Sequence, residues 1–164
     1  MTTAAKLERL VRILPGVAGY QDREKARETD KQLRMRLGDE LKRLVRDLEA
    51  DKRRLLQASQ PGMLPLLDGL SGKLEKLARM FEFATRGYSA LFDLRHVDLK
   101  RLEQLYEFDL RVFDTLGSIK AKADAVHRAV ADAAALQRAA DDMEAALDDL
   151  ERAFEARRQL LAAE

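Results

Sequence analysis

Between Leu102 and Phe154 the apolar residues keep to steps of three and four. Leu102, Leu105, Asp109, Val112, Leu116, Ile119, Ala123, Val126, Val130, Ala133 and Gln137 hold one phase, which resumes as Ala140, Met143, Leu147, Leu150 and Phe154. That period belongs to a helix buried along one face, whereas a half-buried strand repeats every second residue. Two successive steps of three near 140–143 form a stammer, which overwinds a coiled coil locally. Gly117 falls inside the pattern without shifting it, and 12 alanines between 121 and 146 permit close helix approach. The spacing predicts one helix over 98–161, about 95 Å long at 1.5 Å per residue, the alternative being a break near Gly117-Ser118.

The rest of the chain reads the same way. Leu7, Leu10, Val11 and Leu14 share a face opposite Lys6, Arg9 and Arg12, predicting a short amphipathic helix over 1–14 that Pro15-Gly16 stops. A second helix is expected over 21–59, with Leu33, Leu37, Leu41, Leu44, Leu48 and Leu55 as its stripe. Its first turns are a dense run of charges, including Asp30 four residues before Arg34. Such pairs add only about 0.2–0.5 kcal/mol each, so the run reads as a solvated face. Ser59-Gln60-Pro61-Gly62 marks the clearest turn, and a third helix is expected over 65–93. Asp98 is a plausible cap for the helix that follows. Charged residues make up 36% of the 164 and prolines number three, against about 25% charged in average proteins. No run alternates as a strand would. The expected architecture is a single all-α domain: an elongated antiparallel bundle with coiled-coil character, made of a short N-terminal helix and three longer ones.

Composition narrows the functional classes. No cysteine occurs, which excludes disulfides, thiolate metal sites and cysteine nucleophiles. Apolar runs fall far short of the roughly 20 residues that span a bilayer, and the N-terminus lacks a signal-peptide core, so a cytoplasmic protein is expected. Residues 1–60 carry 15 Lys/Arg against 10 Asp/Glu, whereas 121–164 carry 6 against 10. A basic first helix lying against an acidic last helix accounts for that polarity. Basic residues are interleaved with acids and no nucleic-acid motif is present, which disfavours nucleic acid as a partner.

No constellation points to catalysis or to a cofactor. Asp93–His96 and Asp124–His127 each place two ligand types on one helical face, as di-metal bundles do. The set lacks the inward glutamates of those sites, and no metal is expected. Around GLSGKL at 69–74, Leu67 and Leu74 stand where a phosphate-binding loop needs Gly and Ser/Thr.

What remains is surface. Phe81, Phe83, Tyr88, Phe92, Tyr106, Phe108 and Phe113 cluster in sequence, as for a wide core. Phe81 and Phe83 cannot share a helical face, and Phe108 sits off the stripe, so Phe83 or Phe108 is expected to face a partner, a second layer or solvent. Met143, Leu147, Leu150 and Phe154 form a stripe flanked by acids. Burying each is worth about 1.5–3 kcal/mol, which predicts a self-associating chain covering that stripe with a second copy. The functional expectation is a non-enzymatic scaffold or interaction module with an unknown protein partner. The alternative is a peripheral binder at an anionic membrane surface, inserting Leu7, Leu10, Val11 and Leu14 while Lys6, Arg9 and Arg12 meet head groups.

The pattern Pro15-Gly16-x-x-Gly19-Tyr20-x-x-x-Glu24-x-x-Arg27-Glu28-x-Asp30-Lys31-x-Leu33-Arg34 resembles the opening of an uncharacterised group of small bacterial helical proteins, which implies no activity. A short basic amphipathic helix, a break and long charged helices also resemble the architecture of phage-shock-protein-A/ESCRT-III-like membrane-remodelling proteins.

Overall fold

The computed structural model describes residues 2–13, 23–84 and 99–162, and every long element among them is an α-helix. In chain order these are α1 (Thr3–Ile13), α2 (Arg23–Gln57), a single 3-10 turn (Pro61–Met63), α3 (Leu64–Phe83), α4 (Leu99–Ala129) and α5 (Ala133–Ala162). Among the described residues there are five α-helices where four were expected. Leu14, Asp93, His96 and Asp98, and the expected continuation of α3 to residue 93, lie outside the described residues.

The turn after α2 forms where the sequence places it. The Gln60 amide donates to the Leu55 carbonyl at 2.9 Å and the Ser59 amide to Leu56 at 3.1 Å, the paired bonds that close a helix end on a left-handed residue. Ser59 takes that conformation with φ of 56°, although it is not the glycine that the position favours. α3 then folds back along α2. Lys52 meets Asp68 at 2.7 Å near the turn, and Lys42 meets Glu82 far from it.

The helix expected over 98–161 is broken between Ala129 and Ala133, not near Gly117, which lies inside α4. The break needs neither Gly nor Pro because Asp132 caps the new helix. Its carboxylate accepts from the Ala135 amide at 3.0 Å, and its carbonyl from Leu136 at 2.8 Å. α5 consequently doubles back on α4, bringing Lys122 within 3.4 Å of Asp142 and Arg157 within 2.5 Å of Asp109.

One core runs through all five helices, from Leu10 and Leu33 to Leu150 and Phe154. Phe81 of α3 meets Phe154 of α5 edge to face, centroids 4.3 Å apart, a favoured aromatic geometry. α1 lies against α4. Because Ser59 is held left-handed without need, Ser59→Gly should raise stability by about 1 kcal/mol, read as a higher denaturation midpoint at unchanged slope.

Candidate functional site

The least ordinary place in the fold is a layer of buried charge where four helices meet. The Arg157 side chain of α5 is fully buried. Its Nε donates to Asp109 Oδ1 at 2.5 Å, and its Nη1 to Asp30 Oδ1 at 2.9 Å. The second oxygen of Asp30 accepts from Arg34 Nε at 2.8 Å, and Arg34 Nη1 reaches the Phe81 carbonyl at 3.4 Å. α2, α3, α4 and α5 are thus joined through two carboxylates and two guanidiniums, four side chains without net charge between them. Thr29 and Tyr106, also buried, neighbour Asp30 and Asp109 along their helices. The charge run that opens α2 is therefore not simply a solvated face. Asp30 and Arg34 turn inward because they lie on the same side of α2 as Leu33, Leu37 and Leu41.

Two further buried carboxylates tie α2 to α4. Glu40 accepts from Lys120 at 2.7 Å and lies within 3.1 Å of Arg36 and Arg43. Burial pushes this carboxyl up, but the Lys120 hydrogen bond and the three positive charges outweigh it and hold it below the usual carboxylate range. Asp51 lies 2.7 Å from His127 Nδ1 and 3.1 Å from Arg54, whose guanidinium also donates to the His127 carbonyl at 3.3 Å. His127 thus makes an α2–α4 contact, and it lines a cavity of about 270 Å³ together with Asp124, Asp47, Asp51, Leu44 and Ala123. Among the described residues no group of three or more His, Asp or Glu is placed to hold a metal ion.

α1 is fixed by a mixture of apolar and ionic contacts. Leu10 is fully buried, and Lys6 is buried between Glu103 at 3.2 Å and Glu107 at 2.5 Å. Hydrogen bonding to Glu107 raises the Lys6 ammonium above its ordinary value, and the same bond holds the Glu107 carboxyl below its own. Arg9 pairs with Asp114 at 2.7 Å, while Arg12 pairs with Glu8 of its own helix. Of the expected membrane-facing set, Leu10 and Lys6 are thus turned onto the protein, Leu7 is half-buried and Val11 exposed. Such a face would meet lipid only after α1 leaves α4. No helix among the described residues is long and apolar enough to cross a membrane.

The expected interaction surface divides. Phe83 is 75% exposed at the end of α3. Phe108 is half-buried, with the Arg111 guanidinium 5.6 Å from its ring centre. Met143, Leu147, Leu150 and Phe154 are buried within the chain and form no surface. The turn at Asp132 folds their stripe inward, and α3 supplies part of the cover that a second copy was expected to give. Lys73 with Glu144 and Asp148, and Lys76 with Glu151, bracket that α3–α5 contact.

The charged layer was the part missed from sequence. Asp109 occupies a position of the apolar stripe, Arg157 continues the phase of Leu150 and Phe154, and Asp30 shares the face of Leu33 and Leu37, the local signals that charge is buried there. Comparison with protein-family models, curated proteins and solved structures yields no match.

Because the α5 stripe is interior, Leu147→Asp combined with Leu150→Asp should abolish cooperative folding rather than convert a dimer to a folded monomer. Circular dichroism and light scattering on the same sample distinguish the two results.

Proposed function

We propose that the chain is a non-enzymatic helical interaction module, an elongated antiparallel bundle with coiled-coil character that holds helix faces in fixed relation for a protein partner. The observation that carries this reading is how the buried charge is used. Lys6, Asp30, Arg34, Glu40, Asp51, Asp109 and Arg157 each meet an opposite charge. Most of those partners come from another helix, so the charge fixes helices against one another. A catalytic centre instead aims titratable groups at a cavity where a substrate can reach them; Asp51 does line a cavity, but there His127 and Arg54 already engage its carboxylate. The outer surface adds isolated apolar contact points, with Met35 54% and Leu56 56% exposed on α2.

A photo-crosslinking residue in place of Met35 or Leu56, in the full chain in its native host, should give discrete adducts with protein. The purified chain should leave a pool of cellular metabolites unchanged. Sustained consumption of any metabolite by the purified chain would contradict the reading.

A further inference from the structure

The surface of α4 that receives α1 is built for a basic amphipathic helix. Glu103, Glu107 and Asp114 lie along one side of α4, with Leu110, buried, on the same face by helical spacing. α1 answers with Lys6 against the first two carboxylates, Arg9 against the third and Leu10 fully enclosed. Nine residues, 14–22, join α1 to α2 and include Pro15, Gly16 and Gly19.

We propose that this face is an interface between copies of the chain: the α1 of one copy docks on the α4 of a second, replacing that copy's own α1 contact for contact. The proposal rests on the interaction-module reading and names a second copy as one partner. The charge pattern selects this occupant, since the chain itself carries a helix that matches the three carboxylates and the apolar face between them. Because the contacts are the same within a chain and between chains, effective concentration decides which forms. A tether of nine residues holds α1 at a local concentration on the order of millimolar. The self-docked chain therefore dominates in dilute solution, and exchange takes over when chains are crowded or when self-docking is blocked.

Two full-length variants separate the halves of the contact. Glu103→Lys, Glu107→Lys and Asp114→Lys together remove the acceptor face and leave α1 intact; these carboxylates are 41% to 57% exposed, so the rest of the fold tolerates the change. Leu10→Asp removes the donor and leaves α4 intact. At concentrations well below millimolar, each variant alone should be monomeric by light scattering, and an equimolar mixture should form a complex of two chains. A synthetic peptide of residues 2–13 should dissolve that complex. Adding Lys6→Glu and Arg9→Glu to the triple-lysine chain should restore self-docking and abolish the complex as well. A mixture that stays monomeric while both variants keep their helical circular dichroism overturns the proposal, as does a complex indifferent to the peptide. Should Leu10→Asp lose its helicity, Lys6→Glu takes its place with the same expected and contrary results. A monomeric mixture leaves the interaction-module reading standing if crosslinked protein adducts persist, whereas metabolite consumption removes that reading whatever the mixture does.

Discussion

A guanidinium without water must be met by carboxylates, and Arg157 is fully buried. The desolvation of one such ion costs several kcal/mol, recovered only where geometry and hydrogen bonding are good. Asp109 and Asp30 provide that geometry from α4 and α2. Arg34 then balances the second carboxylate and reaches the backbone of α3 through the Phe81 carbonyl. A slip of any one helix by a turn, about 5.4 Å, would separate these partners and strand a charge in the core. The layer thus fixes the longitudinal register of four helices, a job that a uniform leucine interface does poorly.

The apolar packing follows from that register. Phe81 sits beside the layer along α3 and meets Phe154, three residues before Arg157, edge to face. Further along α2, the Glu40 and Asp51 contacts with α4 repeat the same device in less buried form. The outward pairs, such as Arg79 with Glu75 or Arg158 with Glu155, are exposed on both sides. Exposed pairs of this kind contribute about 0–1 kcal/mol each; they contribute to solubility and helix propensity more than to the fold.

Helical period, long elements and the turn at Ser59–Met63 were legible in the sequence because they are local. The expected 21–59 helix runs as Arg23–Gln57, and the amphipathic N-terminal helix as Thr3–Ile13. The break at Asp132 was not legible, since the apolar phase passes through Val130 and Ala133 without Gly or Pro. A capping Asp amid many other acids gives no distinctive signal. Missing that break made the α5 stripe look as though it needed a second copy. The charged layer was hidden for a different reason: Arg157 lies 48 residues from Asp109 and 127 from Asp30. In a chain with 30 Lys/Arg and 29 Asp/Glu, only tertiary contact singles those partners out.

The claim that buried charge sets the helix register is tested most directly by a double-mutant cycle on Asp109 and Arg157. Asp109→Leu and Arg157→Met are each measured by equilibrium denaturation, alone and combined. Each single substitution should cost about 3–5 kcal/mol, because it removes one side of the buried Arg157–Asp109 pair and leaves the layer with an excess charge. The double substitution should cost well below the sum, because Asp30 retains Arg34 and no other member of the layer loses its charge. Single substitutions that cost under about 1 kcal/mol and simply add, as exposed pairs do, would contradict the account.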